Sequence, residues 1–309
     1  MTAPLIKVTT RSFSRHPVLR AELLAEFPGA VFNDQGSRFG GETLVQYLDG
    51  ADGAVVGLEP VTDEVLAALP KLRIVSKYGV GLDNIDEDAC RSRGVAVGWT
   101  GGVNALGVAE MTVCFLGGLS RNVLHSGVRL SAGEWDKSGG RQLSGRTVGV
   151  IGVGHVGKEV VRLLAPYNCR IMANDIVEQA GYFAENGLIA ASKEEIRAEA
   201  DFVTIHTPLT PETRGMVDEA FLAAMKPTAY LVNTARGGIV DQPALKRALT
   251  EGAIAGAALD VFEEEPCGDL EFLSLPNLFS TPHIGGSAEE SILAMGRSAI
   301  QHLSRYFSG

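Results

Sequence analysis

The sequence predicts an α/β protein built from two doubly wound parallel sheets. Two observations carry this. Short β-branched runs alternate with helical patterns in the first hundred residues, and the same rhythm returns from residue 147 onward. Strand–helix alternation puts helices on both faces of a parallel sheet. Between the two series lies a stretch with no strand signal. A chain of 309 residues has room for one large domain or two of ordinary size, with a substantial core in either case.

In the first series LIKVTT (5–10), GAVVG (53–57), LRIVS (72–76) and VAVG (95–98) read as strands. HPVLRAELLAEF (16–27), TDEVLAALP (62–70) and IDEDACRSRG (85–94) read as helices between or after them. The segment ALGVAEMTVCFLGGLSRNVLHSGVRL (105–130) then reads as two consecutive helices leaving the first domain. GEWDKSGGRQLSG (133–145) is a polar, glycine-rich loop. In the second series TVGVIG (147–152), RIMAND (170–175), DFVTIH (201–206), AYLVNT (229–234), GAALDV (256–261) and NLFSTP (277–282) read as strands. HVGKEVVRLLA (155–165) and QPALKRALTEG (242–252) fit as helices between them, and SAEESILAMGRSAIQHLSRYF (287–307) as a long amphipathic helix that ends the series.

Lys and Arg number 27 against 37 Asp and Glu, a net charge of -10. That balance disfavours nucleic acid and anionic membrane as partners, though a locally basic pocket can still take a small anion. Cys90, Cys114, Cys169 and Cys267 are scattered with no CxxC pair. They suggest neither a metal site nor a redox dithiol, and fit reduced thiols in a cytoplasm. MTAPLIKVTTRSFSRHP has no signal-peptide pattern, and no apolar run approaches the roughly 18 residues of a membrane span.

TVGVIGVGHVGKEVV contains Gly152-x-Gly154-x-x-Gly157 after an apolar strand and at the opening of a helix. The next strand ends in an acid, Asp175. A lone GxGxxG is weak, but this context is that of a Rossmann-like dinucleotide turn. Gly152 permits the turn, Gly154 lets a pyrophosphate approach the backbone, and Gly157 lets the helix pack on the strand. A carboxylate at Asp175 accepts ribose hydroxyls and repels a 2′-phosphate, which favours NAD over NADP.

Other strand ends of the second series carry His206, Arg236, Asp260 and His283. Any one alone reads as a surface-loop residue. Four at successive strand ends, where open α/β sheets bind ligands, point to chemistry. Alcohol oxidation needs a base for the hydroxyl proton, and histidine is the usual choice. A neighbouring carboxylate stabilises the imidazolium, and an arginine clamps a substrate carboxylate two-pronged. GAALDVFEEEP (256–266) offers three glutamates, and a charge run is ordinarily a solvated face.

Seven blocks together resemble the D-2-hydroxyacid dehydrogenase family over essentially the whole chain: KYGVGLDNID (77–86), NALGVAE (104–110), VGVIGVGHVGK (148–158), HTPLTPETRGMV (206–217), MKPTAYLVNTARGGIVD (225–241), GAALDVFEEEP and TPHIGGS (281–287). Within it, D-3-phosphoglycerate dehydrogenases lacking a C-terminal regulatory domain are the most similar group. The resemblance implies a substrate domain of residues 1–99 plus 283–309, an NAD-binding domain of 100–282, and an active site in the cleft between them. It makes Arg236 the binder of the substrate carboxylate and carbonyl, His283 the acid/base, and Glu265 the group that raises the proton affinity of His283. It leaves Glu263 and Glu264 as a solvated run. For the dinucleotide it implies Gly152, Gly154, His155, Val156, Gly157, Asp175, His206, Thr207, Pro208, Thr234, Ala235, Asp260 (on the nicotinamide amide) and Gly285. For the substrate it implies Tyr78, Gly79, Val80, Gly81 and Asn104.

Gly107 stands where the family often has Ser or Thr, so one hydroxyl is missing there. Lys77 stands where phosphate-handling relatives commonly have Arg, and a lysine meets a phosphate as a point charge without the fork. Arg11 and Ser12 follow the first strand and can face the same place. The expectation is hydride exchange between NAD(H) and a D-2-hydroxy acid carrying a second anionic group, such as 3-phosphoglycerate. A glyoxylate- or hydroxypyruvate-type reductase is the alternative, and a dinucleotide-sensing co-repressor type of binding protein is another. The resemblance also implies a homodimer through the NAD-binding domain, with Trp135 able to pack across it.

Overall fold

The computed structural model describes residues 3–309. The chain forms two units. One comprises the described residues up to Asn104 together with Gly286–Gly309, and the other is Ala105–Gly285. His283 therefore lies in the second unit.

The first unit holds β1 (Ile6–Val8), β2 (Val31–Phe32), β3 (Gly53–Val56), β4 (Ile74–Lys77) and β5 (Ala96–Gly98), in the order β2-β1-β3-β4-β5. All pairs are parallel. Successive residues of one strand feed opposite faces: Val55 and Ile74 pack with Ile6 and Leu19, while Ala54, Val56 and Val75 pack with Leu44 and Leu66. A parallel sheet covered on both sides needs such continuous apolar runs. The C-terminal helix Glu289–Ser308 covers the first face with Met295, Ala299, Ile300 and Leu303. It approaches helix Pro17–Glu26 so closely that a Cβ on Gly296 would meet Leu19 Cδ1 at 2.3 Å.

The second unit opens with helices Ala105–Ser120 and Val123–Ser131, followed by the irregular loop that the sequence predicts. Its strands are β6 (Thr147–Ile151), β7 (Arg170–Asn174), β8 (Ile189–Ala190), β9 (Phe202–Ile205), β10 (Tyr230–Asn233), β11 (Gly256–Leu259) and β12 (Leu278–Ser280). Their order is β12-β11-β10-β9-β6-β7-β8, all parallel. The order reverses between β6 and β9, which is where a doubly wound sheet opens a crevice for a ligand. Helix Lys193–Glu199 lies against β6, and Ile196 Cγ2 sits where a Cβ on Gly149 would be. That helix starts with a reciprocal capping box between Ser192 and Glu195.

Each strand run read from the sequence overlaps a strand of the structure. β2 and β8 are additional. Each has two residues, too few to show an alternation, and each ends a sheet.

Candidate active site

The residues at the carboxyl ends of β6, β9, β10 and β11 and after β12 all belong to the second unit. The dinucleotide turn follows β6. Gly152 has φ +93, and a Cβ there would meet the His206 carbonyl and Thr207 N at 2.7–2.9 Å. A Cβ on Gly157 would meet the Gly152 carbonyl oxygen at 2.1 Å. Gly154 has open space where its Cβ would point, and it caps helix His155–Leu164 without a side-chain bond to the first amides. His155 is exposed on that first turn, and Val156 packs toward the core. Asp175 follows β7, where its carboxylate accepts the Val153 N–H (2.6 Å) and the Val177 N–H (2.8 Å).

Across the switch point, the His206 Nδ1 and Thr207 Oγ1 atoms are buried without a protein partner. Nε2 of the same ring lies 2.9 Å from the Thr204 hydroxyl. Burial pushes the His206 imidazole down to about 3, so it is neutral at ordinary pH. Buried polar atoms left without partners are costly, and a ligand can satisfy them. An open glycine, an uncapped helix start, a strand-end carboxylate and two orphaned polar atoms converge on one crevice. These residues fit a dinucleotide.

Arg236 follows β10, and Arg236 Nη1 donates to the Ala235 carbonyl (2.7 Å). Thr234 Oγ1 is 2.9 Å from Thr112 Oγ1 on helix Ala105–Ser120. The Arg236 loop presses against the segment carrying the glutamates. A Cβ on Gly237 would meet Phe262 C and O and Glu263 N at 1.9–2.4 Å. Glu265 accepts the Phe262 N–H on Oε1 (3.1 Å) and faces His283 Nδ1 across 2.7 Å with Oε2. The two side chains are 33% and 34% exposed, so the pair meets solvent and is open to a substrate. Burial pushes the Glu265 carboxyl up. The His283 hydrogen bond and charge, the Phe262 amide and the Arg236 charge outweigh burial and leave it below the usual range. Glu265 is thus a carboxylate aimed at a ring whose Nδ1 is occupied, which leaves Nε2 as the ring's other nitrogen for a proton. Glu263 and Glu264 are exposed, as a solvated run would be.

Asp260, after β11, is 1% exposed. Its carboxylate takes the Thr281 hydroxyl and the amides of Ile284 and Gly285. Asn233, at the end of β10, is fully buried and bonds both Ala235 and Arg236. The sequence reading left out Asn233, Thr281 and Thr204; the only signal was a polar residue ending or following an apolar run.

The remaining expected residues lie in the first unit. Tyr78 is buried edge-on to Phe13 (5.6 Å), and burial pushes its hydroxyl up. Gly79 has φ +140, a conformation that favours glycine, and the Val80 carbonyl accepts the Trp99 Nε1–H (2.7 Å). Gly81 continues this partly exposed loop. Arg11 is exposed over Gly36, and the Asn104 amide lies against Gly286. Lys77, expected as a point charge for a distal anion, has a different setting. It is 4% exposed on β4, and its ammonium donates to the Gly57 carbonyl and to Asn84 Oδ1, each at 2.5 Å. A strand end buried on both faces forces the cation to find oxygen within the fold.

The family model described as D-isomer specific 2-hydroxyacid dehydrogenase, NAD binding domain, matches residues 113–285. The chain belongs to that family. Residues 113–285 are its NAD-binding domain. The chain is 37% identical to D-3-phosphoglycerate dehydrogenase of Methanocaldococcus jannaschii, over 87% of this chain and 52% of that one. It is 38% identical to glyoxylate reductase of Pyrococcus furiosus, over 87% and 83%. Its structure is similar to that of D-lactate dehydrogenase from Aquifex aeolicus complexed with NAD and lactic acid, with a TM-score of 0.86 at 25% identity, covering 99% and 96%. The chain spans about half the length of the phosphoglycerate dehydrogenases it matches. Among the described residues, no helix is long and apolar enough to cross a membrane.

Proposed function

We propose that the chain is an NAD-dependent D-2-hydroxyacid dehydrogenase that interconverts a D-2-hydroxy acid and its 2-oxoacid. The observation that carries this reading is the Glu265–His283 pair, set beside the Arg236 loop in the same unit as the dinucleotide turn. When bound, NAD(H) supplies or takes up the hydride. Arg236 clamps the substrate carboxylate and polarises the adjacent carbonyl. In reduction the His283 Nε2–H protonates the developing alkoxide; in oxidation neutral Nε2 takes the hydroxyl proton. Glu265 holds the ring through Nδ1 and stabilises the imidazolium.

The relatives named for phosphoglycerate and for glyoxylate make two substrates worth trying first. A distal phosphate now depends on Arg11 and Ser12, since Lys77 is held within the fold. The test follows NADH absorbance over a panel of 2-oxoacids with and without a distal phosphate, with NADPH in parallel. Tight NADH binding without turnover of any acid refutes the dehydrogenase reading.

A homodimer through the NAD-binding domain belongs to the same proposal. Helix Val123–Ser131 has no buried residue and exposes Val123, Val128 and Leu130; Trp135 just beyond is 78% exposed. An apolar face of this kind suits a second copy. A Trp135→Glu chain that keeps the wild-type mass in light scattering counts against it. The four cysteines are all free, which supports a reducing compartment such as the cytoplasm.

A further inference from the structure

We propose that Asp260 and Asn233 are positioning residues: from the ends of adjacent strands they fix the backbone of His283 and Arg236. The proposal rests on the dehydrogenase reading for the roles of His283 and Arg236.

Asp260 makes four bonds to the five residues 281–285. Oδ1 accepts the Thr281 hydroxyl (2.6 Å) and the Ile284 N–H (2.8 Å), Oδ2 accepts the Gly285 N–H (2.7 Å), and its carbonyl accepts the His283 N–H (2.8 Å). His283 sits at φ +53, a left-handed conformation that non-glycine residues seldom hold unaided. An ionised carboxylate only accepts, so two lone-pair sites filled on one oxygen and one on the other dictate where the loop's donors stand. A Cβ on Gly285 would lie 2.9 Å from Oδ2, so the loop has no slack on that side.

Asn233 does the same for the neighbouring loop with both ends of its amide. Oδ1 accepts the Ala235 N–H (3.0 Å), and Nδ2 donates to the Arg236 carbonyl (2.9 Å). The two clamps are joined, because the Asp260 N–H donates to the Asn233 carbonyl (3.0 Å). Both side chains lie out of solvent. The proton-moving ring and the anion-binding guanidinium are thereby registered to one sheet edge. Supporting residues of this kind set how sharply a site is preorganised.

The test uses the full chain with Asp260→Asn, Thr281→Val and Asn233→Asp. Thr281→Val removes one donor from the clamp and keeps the carboxylate, so it serves if Asp260→Asn does not fold. Positioning predicts that kcat for 2-oxoacid reduction falls about tenfold or more in Asp260→Asn and about threefold in Thr281→Val. The NADH Kd, read by fluorescence, stays within about twofold in Thr281→Val, which keeps the carboxylate. Asn233→Asp loses the donor to Arg236, so KM for the oxoacid rises about fivefold. A second readout needs no turnover. Hydrogen exchange of the His283 amide, which is bonded to the Asp260 carbonyl and not to its side chain, speeds up about tenfold in Asp260→Asn and Thr281→Val and is unchanged in Asn233→Asp. Asp260→Asn that weakens NADH about tenfold with kcat retained at saturating NADH makes Asp260 a cofactor contact and overturns the proposal. An unchanged His283 amide exchange rate with kcat within about twofold overturns it as well. If the wild-type chain reduces no oxoacid, the exchange still decides: a faster His283 amide upholds the clamp while the dehydrogenase reading fails.

Discussion

The paired glycines of Asn233-Thr234-Ala235-Arg236-Gly237-Gly238 are indistinguishable as text, yet their substitution by alanine is expected to have opposite outcomes. A Cβ on Gly237 would stand 1.9 Å from Phe262 C and 2.0 Å from its oxygen. Ordinary contact begins at 3.4 Å, so one backbone must move by about 1.5 Å against another. The segment displaced leads to Glu265, and the segment displacing it carries Arg236. A 1 Å misplacement can cost about 100-fold in rate, so kcat/KM for Gly237→Ala is expected to fall by at least that much. Overpacking against backbone costs about 3 kcal/mol, the upper end of the usual range, which lowers Tm by roughly 6–12 °C for a unit of this size. A Cβ on Gly238 meets only Arg214 Nη1 and Leu209 Cδ2, both at 3.3 Å and both ends of flexible side chains. Gly238→Ala should keep kcat/KM within about threefold, and loss of unfolded-state entropy offsets any crowding by about 0.4–1 kcal/mol. Steady-state NADH kinetics and a thermal melt on both variants decide it. Equal effects at the two positions, or a near-wild-type Gly237→Ala, would refute the close approach of the two loops.

Glu265→Gln removes the carboxylate that faces the His283 ring, so the pH at which reduction fails should move down, whereas Glu264→Gln should leave the profile in place; a rate–pH series checks both. Because the folded Glu265 carboxyl lies below its ordinary value, its contribution to stability is present at neutral pH and is lost as acid protonates it. His206 has the same sign of effect but begins at a higher pH. Between its ordinary 6.5 and about 3 the unfolded chain binds a proton that the folded chain refuses, so stability drops by about 1.4 kcal/mol per unit as pH falls there. Urea midpoints between about pH 4 and 7 should flatten in His206→Asn. Asp175→Ala should raise the NADPH-to-NADH ratio of kcat/KM by about tenfold or more, measured with one oxoacid and both cofactors.

Much of this was legible in the sequence because it depends on local rules. Strand runs such as Phe202–Ile205 must be continuously apolar in a sheet covered on both faces, and Gly152, Gly154 and Gly157 are spaced by the turn they build. Arg236, Glu265 and His283 were legible as a set only through the resemblance; no spacing along the chain announces that they meet. Lys77 shows the limit. Its charge reads as a solvent or ligand group until β4 is seen buried, with Gly57 and Asn84 arriving from elsewhere in the chain. Asn233 and Asp260 escaped as clamps for the same reason, since hydrogen-bond direction is set by tertiary placement.

The C-terminal helix has a kinetic consequence. The first unit is interrupted by 181 residues, 105–285, before the helix that completes it is made. At about 5–20 residues per second a ribosome takes roughly 9–36 s to cross that gap. Through that interval Ile6, Val55 and Ile74 lack the Ala299, Ile300 and Leu303 that cover them in the finished fold. The second unit, contiguous in the chain, is free to mature meanwhile. The nascent first unit therefore leaves this apolar face uncovered for that interval, and its yield should depend on translation speed more than that of its neighbour.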